Sequence, residues 1–143
     1  MLEALTPLHP RFVHFPIALS LVGVLFVVLG MLRRREAWIG YGRISLLLGW
    51  LGVLAAVVTG LIDQAAAPQD ATVTAIIDQH VTAGIALLIA AGLAIYWPLR
   101  NRNLWSSPAR WGYVALLVVI VLLVLVEGWL GGKLVYEFGV GVD

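Results

Sequence analysis

The sequence predicts an all-α protein: a four-helix transmembrane bundle of up-down topology with both termini on the non-cytoplasmic side. Three observations carry this expectation. The 143-residue chain is 62% hydrophobic and only 12% charged, whereas soluble domains carry about 45–50% apolar and about 25% charged residues. Four separate apolar runs approach the length of about 20 residues that a bilayer crossing requires. The basic residues cluster in two of the connections between those runs, and the acids almost all lie elsewhere.

The first run, 12–32, starts at Phe12. It is full length, has no basic residue before Arg11 and no small-residue cleavage site after it, so it reads as a retained span. Pro10 and Pro16 suit a helix start, where proline is tolerated. The second run, 44–62, contains Gly49, Gly52 and Gly60; the third, 79–99, contains Gly84, Ala90, Ala91 and Gly92. Small residues let helix backbones approach closely where lipid removes the hydrophobic drive to associate. The loop between these runs holds Pro68 and Asp70 and leads into the third span through a helical stretch at 71–77. The fourth run, 111–130, is followed by 131–143, read as an outer cap too short and Gly-rich to span. One membrane domain, 1–143, is the natural division.

Charge sets the orientation. Arg33, Arg34, Arg35, Arg43, Arg100, Arg102 and Arg110 are seven of the nine basic residues, and all fall around the first and third connections. Of the acids only Glu36 joins them; Glu3, Asp63, Asp70, Asp78, Glu127, Glu137 and Asp143 fall at the opposite end. The positive-inside rule assigns the Arg-rich loops to the cytoplasm. Trp38, Tyr41, Trp97, Trp105 and Trp111 then form one interfacial belt, and Trp129 and Tyr136 the other. Both cytoplasmic connections are short, so consecutive helices should pack antiparallel.

Composition also excludes. With no cysteine the chain forms no disulfide, thiolate metal site, iron–sulfur ligation or covalent c-type heme link. No basic stripe interleaved with aromatics marks a nucleic-acid partner. There is no phosphate-binding glycine loop, no His-Glu-x-x-His, and no Ser nucleophile with plausible His and acid partners.

The chemistry left is that of histidine. His9, His14 and His80 all fall on the outer side. Counted from Leu32 and Leu99, His14 and His80 lie roughly 27 Å and roughly 28 Å along their helices. The two imidazoles therefore share a depth, on the first and third helices, diagonal neighbours in an up-down bundle. Ionisable residues in spans are rare and usually face the bundle interior. Neutral imidazole is a common axial ligand to heme iron, so His14 and His80 are read as ligands to a heme b, with Gly84 clearing space one turn inward from His80. Asp63, Asp78 and Glu127 sit at similar heights, and any of them could accept the second ring N–H of a ligating histidine or relay a proton. Glu127 follows an unbroken apolar run and reaches water poorly; Lys133 and Arg11 are alternative partners for it. Asp63 also reads as the terminator of the second helix. His9, His14 and His80 together could instead hold Zn, Cu or Fe. A cofactor-free structural or assembly subunit is the third reading. Tyr136, Gly139 and Gly141 suit a backbone turn over the site.

Three motifs carry a family resemblance: His9-Pro10-x-x-Val13-His14-Phe15-Pro16-Ile17-Ala18-Leu19, His80-x-x-x-Gly84, and Gly132-x-Leu134-Val135-Tyr136-x-x-Gly139-Val140-Gly141-Val142. Over essentially its whole length the chain resembles the bacterial membrane-protein family catalogued as domain of unknown function 2231. The resemblance implies a fold, a site and a bacterial inner-membrane location, but no reaction. Members joined to Rieske or c-type cytochrome domains imply, by analogy alone, electron transfer. The partners expected are the lipid bilayer, a separate redox protein or larger membrane complex, and further copies of this chain in a homo-oligomer.

Overall fold

The computed structural model describes residues 13–64, 70–101 and 103–140. They form four helices, α1 (His14–Arg33), α2 (Glu36–Asp63), α3 (Ala71–Arg100) and α4 (Ala109–Tyr136), with one 3-10 turn at Leu104–Ser106. All four are long and apolar enough to cross a membrane. Leu25, Ile89 and Leu125 are each more than half exposed, an arrangement stable only where lipid is the solvent. His9, Arg11, Pro10, Arg102 and Gly141 lie outside the described residues.

The tightest packing joins α1 to α2. Arg34 adopts a left-handed conformation at φ 52°, and the N–H of Arg35 closes the turn on the Gly30 carbonyl at 2.9 Å. The chain is thereby sent straight back, so α2 starts at Glu36 rather than near residue 44 as the apolar run suggests. Its early turns are held by Trp38 and Tyr41, each edge-on to Phe26 at 6.3 Å. Farther along, glycines let the two backbones touch. A Cβ built at Gly23 would lie 2.9 Å from the Leu46 nitrogen, and one at Gly42 would lie 2.6 Å from the Val27 nitrogen. Gly30 meets Ile39, Gly49 meets Ser20 and Gly52 meets Pro16 in the same way. Ser45 Oγ adds a hydrogen bond to the Leu19 carbonyl at 2.9 Å. This is the small-residue association expected in lipid, with α1 supplying half of it.

The other elements are tied by polar groups with internal partners. Trp50 Nε1 of α2 donates to the Leu88 carbonyl of α3 at 3.0 Å. Tyr113 of α4, fully buried, donates to the Ala94 carbonyl at 3.0 Å. It lies edge-on to Trp97 and Trp105 at 6.3 and 5.5 Å. These residues belong to the main core, which runs through all four helices.

A second, smaller core lies where α3 begins and α4 ends. Asp70 caps α3, its Oδ1 accepting the N–H groups of Thr72 at 2.8 Å and Val73 at 3.2 Å. Those bonds, Val73's first, hold the carboxyl below its ordinary pKa range. The expected helical stretch at 71–77 is thus continuous with the third span. Val73, Ile76 and Ile77 pack on Leu130 and Leu134 of α4, with Phe138 and Val140 alongside. That packing explains why α4 runs through Gly131 and Gly132 to Tyr136 instead of ending at Leu130: burial of Leu134 outweighs the helix cost of the glycines, up to about 1 kcal/mol each. Only then does Gly139, at φ 64°, turn the chain so that the Val140 N–H reaches the Leu134 carbonyl at 2.9 Å.

Two outcomes follow. Gly42→Leu should destabilise the protein by about 3 kcal/mol, because the added atoms meet backbone. Gly40→Leu, where a Cβ meets nothing within 4 Å among the described residues, should not destabilise the protein and should gain up to about 1 kcal/mol, because glycine is disfavoured inside a helix. Unfolding by sodium dodecyl sulfate in mixed micelles measures both. Because the folded-state pKa of Asp70 is depressed, its contribution is complete above the unfolded value of about 3.9 and is lost as pH falls through the lower folded value. Amide shifts of Thr72 and Val73 should report fraying on acidification in the wild type. In Asp70→Ala the same fraying should be present already at neutral pH.

Candidate functional site

A cavity of about 370 Å³ opens at the end of the molecule where α1 and α3 begin. All four helices and Val140 line it. Of the contacts among adjacent helices, that between α1 and α4 is the sparsest, since α1 is drawn onto α2 by the glycines and α4 is held to α3 by Tyr113 and the small core. Val53, Val57 and Leu87 contribute apolar wall; the polar groups are His14, Asp63 and Gln64 at helix ends and His80 and Glu127 farther inside their helices.

Five residues singled out from the sequence meet here: His14, Asp63, His80, Gly84 and Glu127. His14 is the first residue of α1 and is exposed; Asp63 is the last of α2 and partly buried. His80 stands farther along α3, and Glu127 faces it from α4. His80 Nδ1 lies 3.1 Å from Glu127 Oε2, with the side chains only 17% and 13% exposed. The approach has ion-pair distance without the alignment of a linear hydrogen bond. Glu127 Oε1 is buried with no hydrogen-bond partner among the described residues.

Two expectations need correction. Asp78 does not line the cavity and its residue is exposed; two positions before His80, it is turned about 200° around the helix. Glu127 does not pair with Lys133, whose ammonium lies 3.9 Å from Glu137 and over the Trp129 ring. At Gly84 a built Cβ would lie 3.7 Å from Glu127 Oε2 and from Val57, at ordinary van der Waals distance. His9 lies outside the described residues, and among those residues no group of three His, Asp or Glu side chains is placed to hold a metal ion.

On the α4 side sequence reasoning found Glu127 but missed the glycines beside it. Gly128, Gly131 and Gly132 all line the cavity, and Gly131 abuts the His80 ring, its built Cβ 3.4 Å from Cε1. The signal was present as helical spacing: 128, 131 and 132 share a face, and Gly131 is one turn beyond Glu127. Assigning Gly131 and Gly132 to a tail hid it.

Residues 5–143 match the family described as predicted membrane protein, DUF2231. The chain belongs to this family. The match bears out the resemblance read from the three motifs. No curated protein and no solved structure matches the chain.

The His80–Glu127 contact should appear as energetic coupling. In a double-mutant cycle of His80→Leu and Glu127→Leu, unfolding in micelles should give an interaction of about 1 kcal/mol or more. Each single variant should be less stable than the additive expectation from the double, because each leaves a polar partner stranded in an apolar site.

Proposed function

We propose that this DUF2231 protein is a small redox subunit of the bacterial inner membrane, holding a heme b through His80 and His14 near the outer face and passing electrons to a separate redox protein or larger complex. The carrying observation is the His80–Glu127 contact on a cavity that His14 also lines. A carboxylate at Nδ1 favours the tautomer whose proton sits there, which leaves the Nε2 lone pair as the donor. A second imidazole on the same cavity, His14, would complete a two-nitrogen donor set of the kind heme iron takes. When bound, the heme supplies one-electron chemistry.

The residues perform the remaining tasks. Glu127 orients His80 and raises the basicity of its ring. Asp63 and Gln64 make the rim at α2's end polar, while Val53, Val57 and Leu87 keep the interior apolar. A volume of about 370 Å³ falls within the usual range for small-molecule sites, about 300–1,000 Å³. The up-down arrangement is supported by the pairings of Gly30, Gly23 and Pro16 with Ile39, Leu46 and Gly52, which advance in opposite directions. An outward-facing site with both termini outside is supported by the arginines at the far end of the bundle.

A three-nitrogen site for Zn, Cu or Fe rests on His9 joining the pair. The small-residue face that would serve a purely structural subunit is used between α1 and α2 of this chain.

The test is a reduced-minus-oxidised spectrum of protein purified from heme-replete cells. The wild type should show a Soret shift and an α-band; His80→Ala and His14→Ala should lose them while keeping full helical content. A wild type with neither band removes the heme, and one metal ion per chain by elemental analysis would then establish the non-heme alternative.

A further inference from the structure

The geometry points to a second binding site at the opposite end of the bundle, where Arg43, Arg100 and Arg110 take the phosphate headgroup of an anionic phospholipid. This site is independent of the heme reading: it uses other residues and another ligand.

Arg43 is the residue that calls for an explanation. It stands well inside α2, seven residues beyond Glu36 and so about 10 Å along the helix axis. It shares a helix face with Trp50, two turns on, and Trp50 bonds the Leu88 carbonyl of α3. Arg43 is therefore carried toward α3 and α4; its charge reaches Tyr113 of α4, and the residue is partly buried. Yet neither a hydrogen bond nor an ion pair joins it to any described residue. A guanidinium keeps its charge and has five N–H donors to satisfy. The acid of α2 at this end, Glu36, is two turns away and forms no ion pair with a described residue. Charges within spans ordinarily pair with one another; this one has no carboxylate to pair with among the described residues. The bias of arginines toward one side explains Arg33, Arg34 and Arg35 in the turn after α1. It does not require a cation two turns inside the next helix.

Two more arginines stand at the same height. Trp50 lies against Leu88 and Gly92 of the antiparallel α3, so Arg43, seven residues back, is level with the stretch 95–99, less than two turns from Arg100. Trp97 in that stretch meets Gly112 of α4, which brings Arg110 to this height as well. Arg100 and Arg110 are exposed and form no ion pair with a described residue; Arg110 lies over the Trp111 ring at 5.3 Å. Arg100 also borders a groove with Leu93, Tyr96, Trp97 and Asn101. Along α3 this groove passes from aliphatic through aromatic to polar and cationic, the gradient a lipid presents from acyl chain to headgroup. A phosphate diester supplies the charge and the acceptor oxygens that arginine binds as a fork. Basic pockets between spans recognise anionic headgroups in this way. A zwitterionic headgroup carries its own cation and gains less.

The full-length protein in micelles, examined by native mass spectrometry with phosphatidylglycerol or phosphatidylethanolamine of the same acyl chains, tests this. The wild type should retain phosphatidylglycerol at least about tenfold more tightly than phosphatidylethanolamine. Arg43→Gln should abolish that preference with helical content unchanged, while Arg33→Gln, at the end of α1, should keep it. If Arg43→Gln fails to fold, the double variant Arg100→Gln, Arg110→Gln must show the loss. Inorganic phosphate should not displace the lipid, because it has no acyl chain to fill the groove; displacement would mean a site for a free anion and overturn the assignment to lipid. Equal retention of the two lipids by the wild type, or an undiminished preference in a folded Arg43→Gln or in the double variant, overturns the inference. Each result is read without reference to heme, so the electron-transfer reading stands or falls separately.

Discussion

A hydrocarbon solvent offers no hydrogen bonds, so each polar side chain carried into a span must find its partner within the protein or lie near an interface. The contact between His80 and Glu127 answers that constraint in part, leaving Glu127 Oε1 without a hydrogen-bond partner among the described residues. Neither residue would be retained cheaply alone: a carboxylate on α4 and an imidazole on α3, both largely buried, are tolerable because they face one another. The same rule governs Trp50 and Tyr113, whose polar atoms each bond a carbonyl of a neighbouring helix. Those two end in closed contacts, whereas the His80–Glu127 pair borders open volume. That difference separates structural satisfaction from a site.

The architecture was legible because its causes are local or compositional. Apolar run length identifies the four helices, and the motifs around His14, Gly84 and Tyr136 identify the family without any distance information. Helix limits were less legible. Apolar windows end where polarity begins, but α2 continues back to Glu36 because Trp38 and Tyr41 pack on Phe26, and α4 continues to Tyr136 because Leu134 is buried against the start of α3. Both extensions depend on partners distant in sequence. In the candidate site, height along each helix brought His14, His80 and Glu127 to one level. Azimuth decided the rest: Asp78 shares the level and points elsewhere, and Lys133 finds Glu137 one turn along its own helix.

Glycine composition alone could not distinguish the two uses of that residue. Gly23 and Gly42 draw α1 and α2 together, while a Cβ at Gly128 would meet nothing within 4 Å among the described residues. Their combination shapes the molecule. One helix pair is closed by backbone contact and the other by aromatic packing and the small core. The remaining volume is left at one end, between apolar walls and a bare helix surface. A cavity produced by such arrangements is a consequence of specific residues, not of loose packing.

The account depends on where the proton of the His80 ring resides. Nitrogen NMR of histidine-labelled protein in bilayers, above neutral pH, observes it directly. The account predicts a protonated Nδ1 beside Glu127 and an unprotonated Nε2, with Glu127→Leu abolishing that preference. A proton found on Nε2 would contradict it, because the nitrogen offered to a ligand would then be blocked.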